Sequence, residues 1–207
     1  MATSRGRMQP VMIDGWEFKL LRDEDQGNFH RLSFGGKVTY LERRVDGILI
    51  SPCRVAMLDA IATDIGLILV TAICAGISAA ATFLKGRRAS RGGEDKQFFI
   101  DFVRKYMDPL LTKPPGPTGY SNWAQWLYKD VRSGLAHSFT IESGGMKLQD
   151  IGGYVKNDPH RPEIHTPTLL VDFERGWLRY LNDVRSGGES RDLGQLFRKR
   201  FDEIFQD

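Results

Sequence analysis

Only two cysteines occur among 207 residues, Cys53 and Cys74. That scarcity leaves no disulfide framework, and their separation matches no metal-ligand spacing. Cys74 sits in an apolar run, so the pair reads as two buried free thiols in a reducing compartment, with the cytoplasm as the default location. An excess of one charge is also lacking. Twenty-nine lysines and arginines face 26 aspartates and glutamates, a net charge of +3, which excludes a dedicated polybasic arm and confines any nucleic-acid contact to a local patch. Met1 to Pro10 hold two arginines and no apolar signal-peptide core, so export is not indicated. No internal repeat, glycine-rich phosphate loop, nucleophile elbow or paired-carboxylate motif occurs. His160 and His165, near Asp158 and Glu163, match no zinc pattern and read as solvated loop residues, so neither a metal nor a cofactor is expected.

What the chain does have is 41% apolar residues, enough for one good-sized folded domain or a domain with an appendage. The longest uncharged run is Ile65 to Leu84, twenty residues that would suffice for a membrane span. Gly66, Thr71, Gly76, Ser78 and Thr82 dilute it, and Leu69, Ile73 and Ile77 recur every fourth position as one buried stripe. We read it as the central helix of a bundle or a subunit interface, with no membrane partner.

Around that run the fold class reads as mainly α. Residues 1–50 form a β-rich appendage, with strands expected at Trp16 to Leu21, Lys37 to Leu41 and Val45 to Ile50 and turns at Gly35-Gly36 and Asp46-Gly47. Residues 51–207 form a helical domain. Ser51-Pro52 predicts a helix start, and the pattern runs on to Leu84. Glu94 to Leu111 predicts a second core helix through Phe98, Phe99, Phe102, Val103 and Tyr106. The proline-rich stretch from Lys113 to Gly119 is a rigid connection. Ser121 or Asn122 then caps a helix with Trp123, Leu127, Val131 and Leu135 on its apolar side, leaving Lys129, Arg132 and His137 for its exposed face. A β-hairpin is expected to follow, Phe139 to Glu142 against Met146 to Leu148, then a strand at Thr168 to Val171. Helices at Asp172 to Val184 and Leu193 to Phe205 end the chain, the last with Leu193, Leu196, Phe197, Ile204 and Phe205 as its apolar side. Trp123, Trp126 and Trp177 each fall in an amphipathic pattern and read as core or interface anchors.

The segment that points to chemistry is Tyr128-Lys129-Asp130-Val131-Arg132-Ser133-Gly134-Leu135-Ala136-His137-Ser138-Phe139. Arginine offers a permanently charged fork that matches phosphate oxygens, and histidine exchanges protons near neutral pH. On an ideal α-helix residues five apart point about 140° away from each other. The plainer reading of the two is a structural arginine pairing with Asp130 or Glu142 and a histidine satisfied at a helix end.

The order of features resembles the HEPN superfamily: an apolar helix ending in Phe83-Leu84-Lys85-Gly86, the helix of Phe99-Ile100-Asp101-Phe102-Val103-Arg104-Lys105-Tyr106, then Arg132 followed after four residues by His137. The resemblance covers roughly Ser51 to Phe139. It implies a helical bundle that pairs as a homodimer through its motif helices, bringing two arginine–histidine pairs into one cleft, and a metal-independent endoribonuclease activity. His137 would then be general acid or base and Arg132 the phosphate clamp, with Ser133 or Ser138 in support and a 2′,3′-cyclic phosphate as product. The implied partners are RNA and an antitoxin or other protein, in toxin–antitoxin or defence settings. Active members usually carry asparagine, aspartate or histidine after the arginine, where this chain has Ser133. The alternative is a non-catalytic dimeric module of the same fold that binds a nucleotide, RNA or protein partner.

Overall fold

The computed structural model describes residues 11–18, 28–59, 66–115, 119–134, 144–148, 152–157 and 162–205. Its first element is a hairpin, β1 (Val11–Ile13) against β2 (Trp16–Phe18). The turn is Asp14-Gly15, with φ of +51° and +82°, the pair of positive dihedrals that a two-residue hairpin turn demands and an Asp-Gly pair supplies. The Asp14 carboxylate reaches on to Ser33, accepting from its N–H at 2.8 Å and its hydroxyl at 2.7 Å. Ser33 in turn caps α1 (Phe34–Val45), its Oγ accepting from the Gly36 N–H at 3.0 Å.

Here the structure corrects the expected strands, because Lys37–Leu41 and Val45–Ile50 are helical. Phe34, Val38, Leu41 and Val45 recur at helical spacing and pack on the core, and that burial overrides the strand preference of the β-branched residues. Gly35-Gly36 is no turn but the first turn of α1. A Cβ on Gly36 would lie 2.1 Å from Asp14 Oδ2, so the glycine leaves room for the carboxylate that reaches Ser33. Asp46–Ile50 continues as a π-helical segment directly into α2 (Ser51–Asp59). Ser51 is therefore not a cap. Its N–H bonds Asp46 O five residues back, and its hydroxyl donates to Asp46 Oδ1 at 3.1 Å. Pro52 has no N–H and its ring crowds the carbonyl four residues earlier; the wider π turn before it accommodates both without ending the helix.

α3 (Gly66–Lys85) is the central element, packed on α4 (Glu94–Tyr106) and on the two C-terminal helices, α6 (Thr166–Gly187) and α7 (Asp192–Phe205). Among the described residues it is the one helix long and apolar enough to cross a membrane, and half of it is buried inside the protein. Ile73, Cys74 and Ile77 are fully buried. Its outward side, with Ala75 and Ala79, borders an apolar groove of about 370 Å³ that Ile48, Phe173 and Trp177 also line. Cys53 and Cys74 are both free and buried.

The expected stripe of α4 is buried from Phe98 to Tyr106, but the helix stops at Tyr106 rather than Leu111. Pro109 disfavours helical backbone in the residue before it, and a 3₁₀ turn, Pro109–Thr112, follows with the Asp108 carboxylate accepting from the Leu110 N–H at 2.8 Å. The strand expected at Thr168–Val171 is instead part of α6, which starts at Thr166 because Pro167 in its first turn is already set to the helical φ. The sheet of this region is β3 (Gly145–Lys147) parallel to β5 (Glu163–His165), with β4 (Val155–Lys156) antiparallel on the other side of β5. The other arm of the expected hairpin, Phe139 to Glu142, lies outside the described residues. His165 is not simply solvated: it is half-buried, with Nδ1 2.7 Å from the Thr168 hydroxyl. In α7 the buried aromatic residues are Phe197 and Phe201, with Gly194 and Arg200 buried beside them, whereas Ile204 is 37% exposed.

Candidate functional site

The arginine of the motif is carried by a segment built in two parts. Asn122, at the N-cap, accepts from the Gln125 N–H at 2.8 Å and starts α5 (Trp123–Trp126). Leu127–Ser133 then continues as a π-helix. Trp123 and Trp126 are fully buried, edge to face at 5.2 Å, and Leu127 and Val131 are fully buried beside them. This buried face anchors the segment, and Lys129 and Arg132 take the other side as the spacing predicts: Lys129 exposed, Arg132 with its side chain 35% exposed. The Tyr120 hydroxyl donates to the buried Asp130 carboxylate, tying the preceding loop to the same segment.

Within Leu127–Ser133, bonds from residue i to i+5 bring residues five apart toward one side, where an α-helix turns them far apart. The Ser133 hydroxyl donates to the Tyr128 carbonyl, five residues back, at 3.1 Å. His137 and Ser138 lie outside the described residues.

Two side chains flank the guanidinium, Tyr128 and Asp95. Arg132 lies over the Tyr128 ring, 5.1 Å from its centroid, and its Nη1 donates to the Tyr128 hydroxyl at 3.4 Å. Asp95, in the first turn of α4, is its ionic partner, Nη1 to Oδ2 3.7 Å. The Tyr128 hydroxyl donates to that same Asp95 oxygen, and its ring packs against Phe99 at 5.5 Å. Burial and then the bond to Asp95 push the Tyr128 phenol up to about 12, partly offset by Arg132, so it stays a neutral donor. Burial likewise pushes the Cys74 thiol up to about 12 despite the field of Arg132, which keeps it protonated and excludes it as a nucleophile.

The arrangement is an always-charged planar donor, half in solvent, backed by an aromatic face and held by a carboxylate. Such a group binds phosphate oxygens by charge-assisted hydrogen bonds. The structure brings Arg132 and Ser133 onto one turn but commits the Ser133 hydroxyl to the backbone. Tyr128 and Asp95 are neighbours that sequence reasoning gave no role. Nothing local marks Asp95, since it meets Arg132 only through the packing of α4 on the π segment. Among the described residues no three of His, Cys, Asp and Glu gather in a group that could hold a metal ion. No family model, curated protein or solved structure matches the chain.

Proposed function

We propose that the chain is a HEPN-like, metal-independent endoribonuclease of the cytoplasm acting as a homodimer, with Arg132 steadying the scissile phosphate and His137 moving the proton of the 2′-hydroxyl. The observation that carries this reading is the presentation of Arg132. It is half-exposed on a π-helical turn whose opposite face is anchored by Trp126, Leu127 and Val131. Attack of the 2′-hydroxyl on the adjacent phosphate needs a proton carrier and a cation that strengthens its hold as negative charge develops, and these two residue types supply both. RNA is the substrate class, and a cyclic phosphate end is the product.

The binding-module reading has its own support: Arg132 already has an internal ionic partner in Asp95, and the Ser133 hydroxyl is spent on the Tyr128 carbonyl. One experiment separates the two. A mixed RNA pool is incubated in excess chelator with the native protein and with folded Arg132→Ala and His137→Ala variants. The nuclease reading expects cyclic-phosphate ends from the native protein and a loss of about 10²- to 10⁴-fold in the histidine variant, the range for removing a general acid or base. No cleavage by any of the three assigns the chain to the binding module.

A further inference from the structure

We propose that Asp95 is an internal stand-in for the ligand's phosphate: it occupies Arg132 in the free protein and is displaced when a nucleic-acid phosphate binds. This rests on the reading of Arg132 as a phosphate clamp and deepens it by naming the residue that gates the clamp.

The argument begins with an imperfect contact. Charge-assisted bonds between guanidinium and carboxylate close to about 2.7–2.9 Å, often with both oxygens engaged. Arg132 and Asp95 stand 3.7 Å apart through one nitrogen and one oxygen. The same Asp95 oxygen accepts the Tyr128 hydroxyl, and that hydroxyl is also the acceptor for Arg132 Nη1 at 3.4 Å. Tyr128 therefore sits between the two charges and holds the carboxylate beside the guanidinium without letting them join.

The contrast with Arg87 shows what a committed pair looks like in this chain. Arg87 meets Glu94 through both terminal nitrogens at 3.0 Å each, and the Glu94 carboxylate also accepts the Ser90 N–H at 2.8 Å. Arg87–Glu94 is a closed structural fork one residue away from Asp95. Arg132–Asp95 is an open one, a single contact at 3.7 Å with both side chains partly exposed. An anion arriving from solvent finds a guanidinium already aimed by the Tyr128 ring and only loosely held by charge. It replaces one acidic partner with another, and the freed Asp95 keeps its hydrogen bond from Tyr128. Lys129, exposed on the same segment, adds to its positive charge.

The test measures binding of a fluorescent single-stranded 2′-O-methyl RNA, which lacks the attacking hydroxyl, by anisotropy at one fixed salt concentration. Native protein, Asp95→Asn, Arg132→Ala and the double variant are compared, each verified as folded by circular dichroism. Asp95→Ser serves as a second removal of the carboxylate that retains a short polar side chain in the helix's first turn. We expect both Asp95 variants to bind about two- to fivefold tighter than the native protein, the factor a half-exposed ion pair supports. We expect Arg132→Ala to bind more weakly, and the gain from Asp95→Asn to vanish when Arg132 is already absent. Weaker binding by Arg132→Ala with no gain from either Asp95 variant overturns the stand-in while leaving the clamp. Unchanged binding by Arg132→Ala overturns the clamp, and the stand-in with it. A helix-capping role alone would lower the melting temperature of Asp95→Asn without moving its RNA affinity.

Discussion

Asp172 and Glu94 show how differently two carboxylates fare in one chain. Asp172 is buried, and both its oxygens lie 3.0 Å from the Asp108 N–H while the Tyr154 hydroxyl donates to one of them at 2.9 Å. Those bonds favour the charged form, yet burial is the larger effect and its pKa is raised. A group whose folded-state pKa is raised stabilises the fold fully below its unfolded value and loses that contribution as pH climbs through the folded one. Ionisation of Asp172 therefore works against the fold from the ordinary carboxylate range upward. Asp172→Asn, which cannot ionise, is expected to abolish this part of the pH dependence, so denaturant melts of native and variant protein between pH 4 and 7 should diverge as pH rises. Parallel curves would contradict it. Glu94 is the opposite case: its hydrogen bonds from Arg87 and then from the Ser90 backbone hold its pKa down to about 2, so its contribution is lost only as pH falls toward that value.

At the scale of elements, helix content was legible where one face is apolar and illegible where two signals compete. The stripes of α4 and α6 are read directly from Phe98, Phe102 and Tyr106 and from Phe173, Trp177 and Leu181. α1 is not legible in the sequence because Val38, Thr39 and Val45 favour strands locally and Gly35-Gly36 imitates a turn, while the helix is secured by contacts with distant residues, Asp14 among them. The π segments were invisible because their cause is a bond that slips from i+4 to i+5, which no residue type announces. A close approach gives a sharper forecast. Gly194, in the first turn of α7, faces the loop from α6 so tightly that a Cβ would lie 2.0 Å from the Gly188 carbonyl oxygen. That obstacle is backbone and cannot rotate away, so Gly194→Ala is expected to cost about 1–3 kcal/mol as an overpacking change. Urea denaturation measures it, and a neutral result would show that the α6–α7 connection shifts freely.

On the scale of the whole molecule, the two ends of the described chain are clasped by aromatic rings. Phe18 of β2 and Phe29 stack at 5.5 Å, Phe29 meets Tyr40 of α1 at 4.8 Å, and Phe201 and Phe205 of α7 complete the cluster at 4.7 Å from each other. The buried Lys37 closes it with an ion pair to Asp202 at 2.7 Å. The hairpin joins this cluster through Phe18, which meets Phe29 and Tyr40. Phe201, fully buried, touches three of the other rings, and Phe201→Ala is expected to destabilise the protein by about 3–5 kcal/mol, the cost of emptying an aromatic core site. Thermal melts followed by tryptophan fluorescence check this; a loss below about 1 kcal/mol would mean that the clasp refills the cavity.

By itself the sequence determined the class of the fold, the buried roles of Trp123, Trp126 and Trp177, the free buried thiols, and Arg132 as the charged residue on the outer side of its helix. Each of these follows from periodicity or composition, which act within a few residues along the chain. Tertiary structure alone decided that residues 34–59 run as one helical path, that β3 pairs with a strand 18 residues further on, and that Asp95 and Tyr128 surround Arg132. Those outcomes depend on which surfaces meet after collapse. The Asp95 carboxylate and the Arg132 guanidinium come from different helices, and they meet where α4 packs its Phe99 against Tyr128.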